Sequence, residues 1–304
     1  MRRRWLAVLL VATSVALDGS GNVFAGGYTS SADFCTTAPV ATKCTVKTTM
    51  GGPSDAFLIK LGINGGVQWA TYAGTANFDR GTAVAVDDSG RPYLAGYSET
   101  SLSPVVYSSW VKRYAAAGTS QLYSFAFGLS GTPGSTFDWT AVWDLAVDPQ
   151  SNAYVTGGTT STLLDVTPGA VQTTFGGGAD AFVGMINNSG SAFVYNTYLG
   201  GPSTETGDGI RVYNGHAYVT GRRHDLDPDG DAFVARYSSG GLGLVFYTAF
   251  GGSSYDYGTA LAQDSSRNLY AAGWTSSNDF DPGDPNCAKA SSGNEQIFVA
   301  KILP

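Results

Sequence analysis

Along this chain, runs of five to nine mostly apolar residues alternate with small or polar positions, and short Gly-, Ser-, Asn- and Asp-rich stretches separate the runs. Period-two alternation bounded by such turn residues predicts short β-strands. The clearest stretch is 171–201, where AFVGMI and AFVYNTYLG flank the turn NNSGS and a Gly-Gly pair closes the segment. Degraded copies of it recur along the chain, so a repeat architecture is the first thing to test.

Alignment gives five units, at about 12–74, 81–128, 139–201, 208–252 and 258–304. Each opens with a strand and a polar turn: VALDGSGN, VAVDDSGR, LAVDPQSN, RVYNGH and LAQDSSRN. A second strand ending in Gly follows: VFAGG, PYLAG, AYVTGG, AYVTG and LYAAG. The third is DAFLIKL, WVKRY, DAFVGMI, DAFVARY or QIFVAKI. The fourth is VQWATYAG, LYSFAFG, FVYNTYLGG or LVFYTAFGG, and it has no counterpart in the fifth unit. Four short antiparallel strands repeated radially predict an all-β β-propeller of about five blades, the last incomplete. A β-sandwich or β-solenoid is the competing reading. A recurrent acid precedes the first strand (Asp79, Asp138, Asp208 and Asp256) and is expected to cap the turn between units.

The pieces TPGAVQTTFGGGADAFV and VYNTYLGGPS, with the turn-strand pattern of SGNVFAGGYTSS, resemble the SBBP repeat, a bacterial β-propeller repeat; NDFDPGD resembles a variant of it. The likeness runs over nearly the whole chain and is weakest in the second unit, whose third strand lacks the Asp. It implies a propeller of exported and cell-surface bacterial proteins with no general enzymatic activity attached.

Composition sharpens this picture. Glycine, at 41 of 304 residues, is about twice its usual share, which suits many tight turns. The net charge of −7 lacks the basic stripe that nucleic acid requires. Of three cysteines, Cys35 and Cys44 are spaced to close a small disulfide loop in an oxidising compartment, or are small apolar residues; Cys287 is left over. Residues 1–11 are either signal-like, with Arg2, Arg3 and Arg4 ahead of WLAVLLVA, or a strand-donating segment. The apolar run is too short for a transmembrane helix.

In an up-down-up-down unit, tight turns fall at one end and the longer loops (28–54, 97–109, 159–179, 221–230 and 274–295) at the other. Binding is expected on the long-loop end. There DLDPDGD sets Asp225, Asp227, Asp229 and Asp231 around Gly230, the beginning of a calcium-loop pattern without its closing Glu; the alternative is an Asp-Pro turn, as in NDFDPGD with Asp279, Asp281 and Asp284. Calcium is thus the one candidate cofactor. Trp110 and Trp274 are candidate stacking surfaces for a polysaccharide, with Trp139 and Trp143 also considered; blade packing is the alternative. His216 reads as a strand residue and His224, beside Asp225, as a conceivable acid-base or metal group. No catalytic motif is found, and the inner strands are neutral apart from Asp144.

The fifth unit stops one strand short. Residues 3–10 cannot fill that gap and also lead into the first strand, because the two places lie about three strand spacings, roughly 14 Å, apart. An open edge at residues 297–303 is therefore expected, suited to self-association. The expected function is a non-catalytic extracellular or cell-surface module, structural or adhesive and self-assembling head-to-tail into filaments. The alternative is a carbohydrate-binding module or polysaccharide-active enzyme using the long-loop face.

Overall fold

The computed structural model describes residues 10–102, 105–128, 137–224, 229–280 and 295–302. Among them the protein is all-β, with nineteen strands and no helix. The chain divides into two compact units, Met1–Leu129 and Ser130–Pro304.

The first unit holds two antiparallel meanders. One is β1 (Leu10–Leu17), β2 (Val23–Thr29), β3 (Asp55–Leu61) and β4 (Val67–Tyr72); the next is β5 (Asp79–Val86), β6 (Pro92–Leu102), β7 (Val105–Tyr114) and β8 (Gln121–Phe127). The second unit holds three. They are β9 (Phe137–Val147), β10 (Ala153–Thr159), β11 (Asp180–Ile186) and β12 (Phe193–Leu199); β13 (Glu205–Tyr213), β14 (His216–Arg223), β15 (Asp231–Tyr237) and β16 (Leu244–Phe250); and β17 (Asp256–Gln263), β18 (Leu269–Thr275) and β19 (Gln296–Ile302). Strand order follows chain order in each meander.

Except in the fourth meander, where Asn214 and Gly215 turn the chain at positive φ, the first hairpin is built by an aspartate. Asp18 Oδ1 accepts the Ser20 and Asn22 N–H groups, while Gly21 takes the positive φ (78°) that closes the turn. Asp87, Asp148 and Asp264 repeat the bond to the residue four positions on. Each first strand then carries a one-residue bulge, at Thr13, Thr82, Trp143, Asp208 and Thr259. Such a bulge re-aims the side chain it holds.

The third strands β3, β11 and β15 read as apolar runs because both their faces are covered. In β15, Phe233, Ala235 and Tyr237 pack with Tyr154, Val183 and Met185 of the third meander. The intervening Ala232 and Val234 pack instead with Leu261, Phe298 and Ala300 of the fifth. In the first unit, Leu58, Trp69, Val84, Leu94 and Trp110 join the two meanders in the same way.

Three expectations need correction. Residues 97–109 are no loop: β6 and β7 run through it, pairing out to Leu102 and Val105, since the alternating YSETSL and VVYSS extend the hairpin. The acid that opens the first strand is Asp79 in the second meander and Asp256 in the fifth, but Glu205, not Asp208, in the fourth. Each accepts the N–H four residues back, from Thr75, Gly252 and Gly201 respectively. In the third meander the register position three residues before the bulge belongs to Thr140, and Asp138 lies outside it, accepting from Thr160 Oγ1.

Candidate functional site

Long connections strap the outer strands. In the first unit, residues 30–54 carry a Cys35–Cys44 disulfide and pack Phe34, Cys35 and Val40 on Phe57 and Tyr72. Tyr72 Oη donates to Ser31 O at 2.7 Å, and in the third meander Tyr198 Oη donates to Ser161 O at 2.9 Å. These straps cover the fourth-strand edges, a common defence against edge pairing.

The long-loop end of the second unit gathers the residues with chemistry. Tyr257, second residue of β17, faces its register partner Trp274 on β18, and the rings stack with centroids 4.1 Å apart and planes 13° off parallel. Both are half-buried. Arg222 of β14 donates from Nη1 to Tyr257 Oη at 3.0 Å and from Nε to Thr206 Oγ1 at 3.0 Å, its guanidinium 4.9 Å from the Tyr257 ring centroid. Thr206 Oγ1 reaches Asp208 Oδ2 at 3.4 Å. Asp208 occupies the bulge of β13, and burial pushes its carboxyl up to about 7, with Arg222 and Thr206 pulling the other way.

Trp139 and Trp143 of β9 add a second aromatic pair, stacked at 5.7 Å and half-buried. Gly158 explains the first ring's place. On the second strand it holds the position of Tyr28, Tyr97, Arg222 and Trp274, and a Cβ there would come within 2.7 Å of the Trp139 ring and 3.4 Å of the Thr206 methyl. The Trp139 ring thus fills the space of the missing side chain and continues the aromatic and cationic layer. The corresponding layer of the first unit is Arg80 over Tyr28 at 4.6 Å, with Tyr97 stacked edge-on against Tyr107.

Of the residues singled out in the sequence, Trp274 lies in this layer. Trp110 does not: it is 4% exposed and its Nε1 donates to Ser98 Oγ at 2.8 Å, so it is core and offers no stacking face. Of the acidic loop, Asp225 and Asp227 lie outside the described residues. Asp229 is half-buried, and Asp231 opens β15 opposite Arg223. No group of three or more His, Cys, Asp or Glu side chains able to hold a metal occurs among the described residues. Asp279 accepts the Ser253 N–H and hydroxyl, while Asp281, Asp284 and Cys287 are outside the described residues. His216 Nδ1 lies 3.0 Å from Tyr237 O, and His224 faces the Tyr255 ring at 6.3 Å.

Asp144 is not the only acid of the inner strands, because β13 begins at Glu205 and includes Asp208. Asp144 itself is engaged, accepting the Ile210 N–H and Arg211 Nη1, both at 2.9 Å. Sequence reading missed Asp208 as an inner-strand acid and Arg222 altogether. The spacing that finds them is the three-residue offset between the strand-opening acid and the bulge.

At the other boundary of the second unit, β19 alternates sharply. Phe298 and Ala300 are buried, whereas Ile297 is 86% and Val299 68% exposed. No strand pairs with the outer edge of β19 among the described residues. Residue 303 lies outside them. No helix among the described residues is long and apolar enough to cross a membrane.

Residues 247–281, from within β16 to just past β18, match the model of the SBBP beta-propeller repeat. The matched stretch contains Tyr257 and Trp274. No curated protein matches the chain in sequence. Among solved structures, the chain is similar to a protein of unknown function from Bacteroides caccae (13% identity, 87% of this chain and 71% of that one, TM-score 0.47). It is also similar to an exo-beta-1,3-galactanase from Clostridium thermocellum (11% identity, 96% and 59%, TM-score 0.45). A third is a beta-xylosidase/alpha-arabinofuranosidase from a compost microbial metagenome (13% identity, 98% and 92%, TM-score 0.40). None of these likenesses assigns an activity to this chain.

Proposed function

We propose that the chain is a β-propeller of about five blades, the last with three strands, that serves outside the cell as a non-catalytic adhesive module binding polysaccharide through the aromatic layer of its second unit. The observation that carries this reading is the half-buried Tyr257–Trp274 stack edged by Arg222 and Asp208. Flat rings offer apolar area at little entropic cost, and a neighbouring guanidinium and carboxyl supply directional hydrogen bonds to hydroxyl groups. Affinity electrophoresis in gels containing neutral and acidic polysaccharides tests the reading: retardation by at least one of them is expected, and unretarded migration in all of them counts against it.

A second reading, self-association through β19, is favoured by the exposure of Ile297 and Val299, which hold the positions that Ala232 and Val234 bury in β15. Replacing both with Lys is expected to shift light-scattering mass toward that of one chain. A wild-type protein already monomeric at high concentration removes this reading.

A further inference from the structure

We infer that the exposed face of the fifth meander docks on the exposed face of the first meander of a second copy of this chain. The inference rests on the self-association reading and deepens it by naming the surface that β19 meets.

The junctions inside each unit show how such faces fit. Leu58 of β3 packs with Val84 and Leu94 of the second meander. Val183 of β11 packs with Ile210 and Val219 of the fourth, and Val234 of β15 with Leu261 and Ala271 of the fifth. Strand register makes these junctions one arrangement. Leu58, Val183 and Val234 stand opposite Gly26, Thr156 and Thr220 of the second strands. Val84, Ile210 and Leu261 lie two residues past the first-strand bulge, opposite Leu94, Val219 and Ala271. A third-strand residue of one meander thus covers a first-strand residue of the next, as stacked repeats require.

Both halves of this arrangement recur uncovered, one on each unit. Val299 of β19, opposite Ala272, holds the position of Leu58, Val183 and Val234. It is 68% exposed, and they are fully buried. Val15 of β1, two residues past the bulge and opposite Ala25, holds the position of Val84, Ile210 and Leu261. It is 67% exposed, against at most 6% for those three. Ile297 and Leu17, also exposed, extend the two faces.

Small residues single out the partner. In the fourth and fifth meanders the first-strand residue just before the bulge is Gly207 or Gly258. A Cβ on either would stand 2.0 Å from a hydroxyl of the preceding meander, Thr156 Oγ1 or Thr220 Oγ1. Those hydroxyls are pinned, donating to Phe182 O at 2.8 Å and Phe233 O at 2.7 Å. Threonine on one face therefore requires glycine on the other. The first meander has Ala12 at the glycine position, and the fifth has Ala272 at the threonine position. Ala12 carries the Cβ that the threonine hydroxyl forbids, and Ala272 lacks that hydroxyl. The face of β1 thus fits the face of β18 and β19 and would clash with that of the third or fourth meander. Because the two faces differ, the contact is heterologous and copies add head to tail.

Sedimentation velocity over a concentration series tests the inference by complementation. Val15→Lys alone and the Ile297→Lys/Val299→Lys protein alone are each expected to associate at least tenfold more weakly than the wild type. Mixed in equal amounts they are expected to form a dimer and nothing larger, because each retains the face that the other has lost. Should a lysine variant fail to fold by circular dichroism, Val15→Cys and Val299→Cys proteins, each with Cys287→Ser, are mixed under mild oxidation. A disulfide-linked dimer of the two is then expected in excess over either linked to itself. A Val15→Lys protein that associates like the wild type, a mixture of folded variants that stays at the mass of one chain, or Val299→Cys linking only to itself overturns the inference and leaves the self-association reading in place. A wild type that is monomeric at high concentration overturns both.

Discussion

Tyr257 and Trp274 are cross-strand partners whose rings stack at 4.1 Å on the half-exposed surface of the second unit. Neither ring lies in the fully covered core, so the pair can be cut without emptying a core position. Trp274→Ala is expected to cost about 1–2 kcal/mol, the scale of a lost aromatic pair with partial burial. Urea unfolding checks this; a loss above about 4 kcal/mol would mark Trp274 as a core residue.

Asp208 makes stability depend on pH in a defined direction. Its folded value of about 7 lies above the ~3.9 of an unfolded aspartate, so the folded chain binds the proton more tightly. Its contribution is then complete below about pH 4 and is lost as pH rises toward 7. Asp208→Asn is therefore expected to gain on the wild type between pH 4 and 7 and to hold a constant advantage above. Melting curves across that range check it, and a pH-independent difference rules it out.

Lys112 holds a buried ammonium group in the first unit. Burial pulls the ammonium down to about 8 while Asp79 pulls it up. Lys112→Met removes the buried ammonium bonded to Ala73 O and leaves that carbonyl without it, which is expected to cost about 1–3 kcal/mol. Chemical denaturation is the check, and an unchanged stability would show that the Lys112 ammonium holds nothing in place.

The Cys35–Cys44 bridge holds the strap that packs Phe34 and Val40 on the first meander. Closing so short a loop is worth about 2–3 kcal/mol in chain entropy. The double Ser variant is expected to lose about that much and to become sensitive to proteolysis within 30–54. An unchanged melting temperature would mean that the strap holds by packing alone.

Strand patterning was the legible part of this chain. DAF starts followed by short apolar runs located β3, β11 and β15, because two-sided burial leaves a continuous apolar run. Residue type misled where spacing mattered more. Searching for Asp picked Asp208 and Asp138, whereas the strand-opening position is held by Glu205, which accepts the Gly201 N–H, and by Thr140, whose hydroxyl bonds the Thr159 hydroxyl across the strand pair. Trp110 and Trp274 look alike in sequence, yet one points to the junction with the first meander and the other to the surface. The Trp139 layer was illegible because it depends on an absent side chain at Gly158.

The most direct test of the binding proposal is a polysaccharide titration read by intrinsic tryptophan fluorescence, comparing wild type with Trp274→Ala. The proposal predicts a saturable change in the wild type and at least a tenfold loss of affinity in the variant, with the fold retained by circular dichroism. Equal affinity in the two proteins, or no response of the wild type to any polysaccharide, would contradict it.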